Sequence, residues 1–296
     1  MFCPSSFDII DFMIQDIFPA KFYNHYEEQK PCESDSAFFF SEGKVLARFN
    51  KESSLLSFPI CGDFSEQKFS STYLFSIDNQ KYFLMSGGAE LPTGLSDFSF
   101  YTLRQLRDLP LASEVKVSLF AAFSAYHLWK WYDDNKYCGH CGKPLKHDTV
   151  ERALFCPECQ SKIYPRINPA VIIGILNQKK DKILITKYRT GYGHSALVAG
   201  FTEFGETLEQ TVEREVMEEV GLKVKNIRYY KSQPWALAQD ILAGFFCEVD
   251  GDETISMDEG ELKYAEWVSR ENVELQPNDY SLTNEMMKLF KSGANV

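Results

Sequence analysis

The chain has 296 residues, of which 44% are hydrophobic and 15% aromatic, enough apolar surface for a folded protein of two or three domains. Its formal net charge of -11 disfavours electrostatic attachment to a nucleic-acid backbone or an anionic membrane. No apolar run approaches the length of about 18 residues typical of a membrane span, and the N-terminal segment lacks the pattern of a signal peptide. We therefore expect a cytoplasmic protein that does not associate with membranes.

Residues 1–136 are predicted to form a mixed strand and helix domain. The short apolar runs KVLARF, STYLFSI and KYFLMSG are broken by Gly, Asn and Asp, a pattern typical of antiparallel strands. The segment from Leu111 to Asn135 carries apolar residues at helical spacing. It predicts a long amphipathic helix that closes this domain.

Residues 137–166 contain two Cys-x-x-Cys pairs separated by fourteen residues. The four cysteines are Cys138, Cys141, Cys156 and Cys159. In a chain without an export signal this grouping favours a metal site over disulfides, and four thiolates complete the tetrahedral shell of zinc. A filled shell leaves no position for water or substrate, so the predicted zinc is structural, and His140 and His147 are interpreted as spectators. The alternative is a pair of unrelated turns with free thiols.

Residues 167–296 alternate between strand-like and helix-like segments, which predicts a single α+β domain of ordinary size. The runs INPAVIIGIL and DKILITKY predict two strands, and the Gly-rich segment RTGYGHSALVAG after them predicts a loop. KVKNIRYYKS, ILAGFFCEV and YAEWVS predict three more strands, and a last helix is expected near Ser281 to Lys291.

An acidic helix is predicted between the second and third of these strands. Thr207 and Gln210 have the spacing of a capping box, so the helix should begin near Leu208, and Gly221 is a suitable stop after Val220.

Three glutamates of this helix, Glu215, Glu218 and Glu219, fall within an arc of roughly 100° that borders its apolar side. Like charges four residues apart destabilise an isolated helix by about 0.2–0.5 kcal/mol, and a bound divalent cation would relieve that repulsion. Clustered carboxylates beside a Gly-rich loop therefore indicate metal-assisted attack on a phosphate ester or anhydride. The alternative is an ordinary solvated helix face.

The whole acidic segment, GFTEFGETLEQTVEREVMEEVGL, resembles the Nudix box, G-x5-E-x7-R-E-U-x-E-E-x-G-U with U aliphatic. The residues at its fixed positions are Gly200, Glu206, Arg214, Glu215, Val216, Glu218, Glu219, Gly221 and Leu222. The resemblance implies an α/β/α sandwich that hydrolyses a nucleoside diphosphate linked to another group. It also implies that Glu215, Glu218 and Glu219 bind Mg²⁺ or Mn²⁺ and that Arg214 orients a glutamate.

Ser232-Gln233-Pro234-Trp235, the cysteine segment and the stretch YPRINPAVI together resemble the NADH pyrophosphatase branch of the Nudix family. This resemblance implies cleavage of NADH, and less well of NAD, to nicotinamide mononucleotide and AMP by a homodimer. It places Gln233 and Trp235 in the substrate site. The chain departs from the branch at residues 236–240, where Ala-Leu-Ala-Gln-Asp replaces Pro-Phe-Pro, a variable residue and Ser.

Further roles are implied by the same resemblance. Tyr164 and Phe201 would clasp the nicotinamide ring, since flat aromatic faces suit a planar heterocycle. Glu261 would complete the catalytic metal site. In the mechanism that we expect, Glu219 accepts the proton of the attacking water or positions that water. The alternatives are ordinary packing for the two aromatic residues and a solvated carboxylate for Glu261.

Other functions remain open. The same anhydride occurs in the NAD cap of RNA and in substrates such as ADP-ribose or a dinucleoside polyphosphate. A protein of a different class would be a non-catalytic Nudix sensor whose zinc ribbon contacts a partner. The complete set of box glutamates argues against that reading.

Overall fold

A computed structural model describes residues 13–65, 69–88, 91–111, 115–190, 193–277, 279–294 and 296. The chain divides into two compact units. One unit comprises residues 16–167 and 236–239, and the other comprises residues 168–235 and 240–296 with residues 13–15. The expectation of no signal peptide depends on residues 1–12, which lie outside the described residues.

The unit of residues 16–167 is built on a sheet with seven described strands. They are β1 (Phe22–Tyr23), β2 (Ser36–Ser41), β3 (Lys44–Asn50), β4 (Leu55–Ser57), β5 (Phe69–Ile77), β6 (Gln80–Gly87) and β7 (Ser99–Tyr101). Their order is β1-β5-β6-β2-β3-β4, and β7 pairs with β3. The three runs predicted as strands are confirmed as β3, β5 and β6. The expected antiparallel arrangement is wrong for one pair of strands, because β6 runs parallel to β2.

Two α-helices are described in this unit, α1 (Leu103–Arg107) and α2 (Lys116–Asp134). The long helix predicted between residues 111 and 135 is confirmed as α2, although α2 begins later and residues 112–114 are not described. Its Trp131 is fully buried, and its Trp129 stacks on Phe40 of the sheet with ring centroids 4.9 Å apart. The helix therefore covers an aromatic face of the sheet.

The cysteine segment forms a small sheet in the same unit. Its strands are β8 (Lys146–His147), β9 (Leu154–Phe155) and β10 (Lys162–Ile163), in the order β10-β9-β8. Arg152 joins it to the larger sheet by donating to the backbone carbonyls of Leu74 at 2.5 Å and Asn24 at 3.1 Å. The domain boundaries expected at residues 136 and 166 stay predictions.

The unit of residues 168–296 contains a mixed sheet with six described strands. They are β11 (Asn168–Leu176), β12 (Lys182–Tyr188), β13 (Val198–Phe201), β14 (Val224–Trp235), β15 (Asp240–Val249) and β16 (Leu262–Ser269). The order is β14-β15-β11-β12-β16, β13 pairs with β11, and β11 runs parallel to β15. The five strands predicted here are confirmed. The prediction of loop throughout the Gly-rich segment is wrong for β13, which pairs with residues 170–173 of β11.

Two helices cover opposite faces of this sheet, α3 (Leu208–Val220) and α4 (Leu282–Lys291). Side chains of β11 alternate between the faces, as the two-residue period of a strand requires. Val171 belongs to the core beneath α3, and Ile172 belongs to the core beneath α4. The predicted α+β class with a C-terminal α/β/α sandwich is confirmed. No helix in the described part of the chain is long and apolar enough to cross a membrane.

Both ends of α3 follow from local chemistry. The Thr207 hydroxyl accepts from the backbone N–H of Gln210 at 3.2 Å, and the Gln210 side chain accepts from the N–H of Thr207 at 2.8 Å. Gly221 takes the left-handed conformation, with φ of 69°, and ends the helix. The predicted capping box, start and stop are all confirmed.

Candidate functional site

The guanidinium of Arg214 lies at the centre of a carboxylate cluster on α3. Its Nε and Nη2 donate to the two carboxylate oxygens of Glu206 at 2.6 and 3.0 Å. Its Nη1 donates to Glu215 at 2.7 Å and to Glu218 at 2.9 Å. Nη2 also donates to the carbonyl of Phe201 at 2.8 Å, so one planar fork connects three glutamates to the end of β13.

Glu206 anchors this arginine from just outside the helix. Its Oε2 also accepts from the backbone N–H of Glu203 and from the Thr211 hydroxyl, each at 3.0 Å. Hydrogen bonding to Arg214 lowers the pKa of Glu206 to about 2, so the carboxylate stays ionised. Helical spacing could not assign this role, because Glu206 precedes the first residue of α3. Its fixed place in the Nudix box was the available signal.

Gly200 gives Glu215 the space that its carboxylate occupies. A Cβ added to Gly200 would lie 2.0 Å from Glu215 Cδ and 2.1 Å from its Oε1. The first glycine of the box is therefore required by a contact across to α3 rather than by a left-handed backbone. A larger residue would displace Glu215.

Glu219 is the most buried carboxylate of the cluster, with 2% of its surface exposed. The Tyr188 hydroxyl lies 3.1 and 3.2 Å from its two carboxylate oxygens. Burial raises the pKa of Glu219 to about 8, the Tyr188 hydrogen bond opposes that shift, and the charges of Glu215 and Glu261 add to it. Burial also raises the pKa of Glu215. A bound positive ion would therefore stabilise the charged forms of Glu215 and Glu219.

The loop that carries Glu261 is attached to the C-terminal end of α3. The carbonyls of Glu219 and Val220 accept from the backbone N–H groups of Asp258 at 2.9 Å and Ser256 at 3.0 Å. Glu261 itself is exposed and precedes β16. Its charge nevertheless contributes to the raised pKa values of Glu215 and Glu219, which places it in the same electrostatic field.

Oxygen donors of this kind fit a hard divalent cation such as Mg²⁺ or Mn²⁺. In this structure Glu215 and Glu218 bond to Arg214, and Glu219 bonds to Tyr188. Carboxylate oxygens carry further lone pairs beyond these bonds, so the donor set fits the ion chemically. Among the described residues, the four cysteines are the one group of three or more Cys, His, Asp or Glu side chains whose potential ligand atoms all lie within 4.8 Å of one another. The glutamates of α3 do not form such a group in this structure.

Comparison with known proteins assigns a family to the C-terminal part of the chain. Residues 166–290 match the sequence profile of the NUDIX domain. Those residues form a NUDIX domain. The chain is 42% identical over 151 residues to proteins named NAD-capped RNA hydrolase NudC from Salmonella paratyphi C and Salmonella typhi. That match covers 51% of this chain and 58% of each relative, so the chain spans little more than half the length of these proteins.

Two solved structures align with part of the chain. A NUDIX hydrolase from Nitrosomonas europaea aligns with a TM-score of 0.45 at 22% identity, covering 53% of this chain and 91% of that one. A NUDIX-family hydrolase from Clostridium perfringens aligns with a TM-score of 0.35 at 17% identity, covering 43% of this chain and 95% of that one.

Two residues expected to contact substrate lie on β14 of the NUDIX domain. Gln233 is fully buried; its side-chain nitrogen donates to the carbonyl of Tyr280 at 2.8 Å, and its oxygen accepts from the N–H of Leu282 at 2.8 Å. Trp235 is half-buried and packs against the core beneath α4. In this structure Gln233 therefore connects β14 to the start of α4.

The two aromatic residues expected at the nicotinamide ring are both accessible. Phe201 at the end of β13 is 50% exposed, and its backbone carbonyl bonds to Arg214. Tyr164, in the other compact unit, is 54% exposed and donates to Glu151 at 3.1 Å. Their contact with substrate stays a prediction.

The predicted zinc ligands come together in the unit of residues 16–167. Cys138 Sγ lies 3.5 Å from Cys159 Sγ, and Cys141 Sγ lies 3.4 Å from Cys156 Sγ. A tetrahedral zinc with bonds of about 2.3 Å would place its sulfurs about 3.8 Å apart. The Sγ–Sγ distances found here are close to that value, so the cluster fits a structural zinc.

The two cysteine turns share one backbone pattern. Cys138 N–H donates to the Lys143 carbonyl at 2.8 Å, and Cys156 N–H donates to the Ser161 carbonyl at 2.9 Å. The residue after the second cysteine of each turn is left-handed, Gly142 with φ of 70° and Gln160 with φ of 62°. This repeated geometry presents both thiols of each turn to one point.

Proposed function

We propose that this chain hydrolyses the diphosphate bond of NADH, and less well of NAD, in the presence of Mg²⁺ or Mn²⁺. The products are nicotinamide mononucleotide, reduced or oxidised, and AMP. The observation that carries the proposal is the gathering of the box carboxylates around Arg214 inside a NUDIX domain. Identity of 42% to relatives named NAD-capped RNA hydrolase NudC supports a substrate that contains NAD.

The residues proposed to hold the metal are Glu215, Glu218 and Glu219, with Glu261 completing the site. A bound ion would neutralise charge on the phosphoryl oxygens and lower the pKa of its water. Glu219, which is buried, accepts the proton of the attacking water or positions that water. Arg214 holds Glu215 and Glu218 in place and does not itself contact substrate.

The reaction consumes one water molecule. The water oxygen bonds to one phosphorus, the bond from that phosphorus to the bridging oxygen breaks, and the bridging oxygen leaves with the other phosphate. Family resemblance assigns Phe201 and Tyr164 to the nicotinamide ring, and flat aromatic faces suit a planar heterocycle. Gln233 and Trp235 are assigned to the substrate site by family resemblance.

Removal of the NAD cap from RNA is the second candidate, because the relatives bear that name. The cap contains the same diphosphate, so the same carboxylates would act on it. The net charge of -11 disfavours tight binding of the RNA backbone, which makes free NADH the first choice. ADP-ribose and dinucleoside polyphosphates are further substrates to test, and the intact box argues against a non-catalytic sensor.

The remaining proposals concern the assembly. The cysteine cluster would hold structural zinc that takes no part in catalysis. The protein would be a cytoplasmic homodimer, as in the branch that it resembles.

A substrate panel tests the proposal. Specificity constants are measured with Mg²⁺ or Mn²⁺ for NADH, NAD, ADP-ribose, a dinucleoside polyphosphate and NAD-capped RNA. We expect NADH to have the highest value and Glu219→Gln to lose turnover on every substrate. Full turnover by Glu219→Gln would refute the catalytic assignment, and a higher value for capped RNA would make cap removal the function. Hydrolysis in oxygen-18 water identifies the phosphorus that is attacked.

A further inference from the structure

Tyr188, the last residue of β12, has a hydroxyl committed to Glu219. That hydroxyl lies 3.1 and 3.2 Å from the two carboxylate oxygens, and it accepts the backbone N–H of Ala199 at 3.2 Å. Because the Ala199 N–H occupies an acceptor position of the phenol oxygen, the single phenolic proton is available to the carboxylate. A carbonyl contact to Ala199 also exists, at the longer distance of 3.5 Å.

The surroundings give this bond little freedom. Tyr188 is half-buried and packs against the core beneath α3, which contains Val216 and Val220. Glu219 is 2% exposed, so water has little access to its carboxylate. A hydrogen bond in such a place, shielded from water, fixes the geometry of the carboxyl group firmly.

Arg214 does not perform this task for Glu219. Within the described part of the chain, the hydrogen bonds of its side chain go to Glu206, Glu215, Glu218 and the Phe201 carbonyl. Glu219 is held instead by the Tyr188 hydroxyl of β12, together with a backbone hydrogen bond from Ala199 of β13.

The next residue extends the same function to the loop of Glu261. The backbone N–H of Arg189 donates to the Glu261 carbonyl at 2.9 Å, and its side chain donates to the Glu259 carbonyl. Two consecutive residues at the end of β12 thus connect to Glu219 and to the loop before β16.

We infer that Tyr188 is a positioning residue whose hydroxyl holds the Glu219 carboxylate in the orientation that divalent-metal binding and proton acceptance require. The inference rests on the proposed function, because Glu219 acts only if the site binds metal. Neither the Nudix box nor helical spacing indicates Tyr188, which lies 31 residues before Glu219 and outside the box.

The test is Tyr188→Phe, which keeps the ring and removes the hydroxyl. Loss of a group that orients a metal ligand typically weakens metal affinity or activity by about 10- to 100-fold. At saturating Mn²⁺ we expect kcat for NADH to fall in that range while KM changes less than about twofold, because the Tyr188 hydroxyl is bonded to Glu219 and Ala199. We also expect the Mn²⁺ dissociation constant of the protein without substrate, measured by electron paramagnetic resonance, to rise by about tenfold.

Tyr230→Phe is the matched control. Tyr230 is also half-buried, and its hydroxyl donates to the buried Glu285 at 2.6 Å on the α4 face of the same sheet. We expect this variant to keep the wild-type kcat and Mn²⁺ affinity. The thermal midpoints of the two variants without Mn²⁺ should be similar, which separates positioning from general stability.

A double-mutant cycle shows whether Tyr188 acts through Glu219. Once Glu219→Gln has removed the carboxylate, adding Tyr188→Phe should cause no further loss of Mn²⁺ affinity. Equal losses in both backgrounds would assign Tyr188 a structural role and overturn the inference. Unchanged kcat and Mn²⁺ affinity in the single variant would overturn it as well.

Failure of the proposed function gives a different result. Wild-type protein would then bind Mn²⁺ without cleaving NADH, and the Mn²⁺ measurements would still decide the role of Tyr188. Wild-type protein that binds no Mn²⁺ at Glu219 would refute both.

Discussion

Gly200 packs directly against the carboxylate of Glu215, and a Cβ added to Gly200 would lie 2.0 Å from Glu215 Cδ. Gly200→Ala must therefore displace a carboxylate whose side chain is 12% exposed. Because misplacing a catalytic group by about 1 Å can reduce rates by about 10²-fold, we expect a loss of that order in kcat for NADH. Steady-state kinetics with Mg²⁺ measure it.

Gly193→Ala provides the control for that substitution. An added Cβ at Gly193 meets nothing within 4 Å among the described atoms. We expect its turnover to match wild type. Equal activity of the two variants would show that the contact between Gly200 and Glu215 does not matter to catalysis.

Arg214→Lys is expected to disrupt the carboxylate cluster while keeping its positive charge. Lysine lacks the planar fork that bonds Glu206, Glu215 and Glu218 together. We predict at least about a tenfold loss of kcat and a decrease of about 1–3 kcal/mol in the free energy of unfolding. Arg228→Lys is the control: Arg228 forms an ion pair with Glu248 at 3.0 Å, and this substitution should leave kcat unchanged. Wild-type turnover by Arg214→Lys would contradict the assigned role.

The stability of the protein without Mg²⁺ or Mn²⁺ should depend on the protonation of Glu219. Burial raises its pKa to about 8, whereas an unfolded glutamate titrates near about 4.3. Between those values the folded state holds a proton that the unfolded state has released, so this group's contribution to stability falls as pH rises. The slope is at most about 1.4 kcal/mol per pH unit, and it vanishes above the folded pKa.

Glu219→Gln should remove that dependence. Calorimetry from pH 5 to about pH 9 is expected to show the variant gaining stability relative to wild type as pH rises toward about 8. A constant difference in thermal midpoint across the range would mean that Glu219 does not hold the proton.

The cysteine cluster should contain about one zinc ion per chain. Cys156→Ser is expected to lose that zinc and to lower the temperature of an unfolding transition, because binding energy at a structural site is folding energy. Elemental analysis and calorimetry test both effects. Cys32→Ser, which changes an exposed thiol outside the cluster, should retain zinc. If the wild-type protein contains no zinc and Cys156→Ser folds as the wild type does, the zinc assignment is wrong.

The second cysteine turn carries a left-handed Gln160, at φ of 62°, where the first has Gly142. A non-glycine residue in this conformation is strained by roughly 1–2 kcal/mol. Gln160→Gly should therefore raise the free energy of unfolding by about 0.5–1 kcal/mol, and Gly142→Ala should lower it by about 1–2 kcal/mol. Chemical denaturation checks both values. A decrease with Gln160→Gly would show that its side-chain bond to Pro157 outweighs the strain.

Local chemistry explains why much of this fold was predictable. Thr207, Gln210 and Gly221 are sufficient to define both ends of α3, because caps act within a turn of the helix. The strands beneath α3 and α4 are long apolar runs whose burial needs no detail of their partners. β13 was missed because Gly200 weakens any strand pattern and its pairing with β11 is non-local.

The contacts that organise the site could not be predicted from the sequence, because they too join residues that are distant along the chain. Arg214 bonds Glu206 from eight residues away, and Tyr188 bonds Glu219 from 31 residues away. Those pairs meet only when β12, β13 and α3 pack together. Family resemblance named the glutamates, and the tertiary structure shows what holds them.

The central claim is that the glutamates of α3 bind a divalent cation. Crystals soaked with Mn²⁺ and a non-hydrolysable analogue of NADH, measured for anomalous scattering, test it most directly. We predict a manganese peak within about 2–2.5 Å of carboxylate oxygens of Glu215 and Glu219. Manganese bound elsewhere, with no peak beside these carboxylates, would contradict the account.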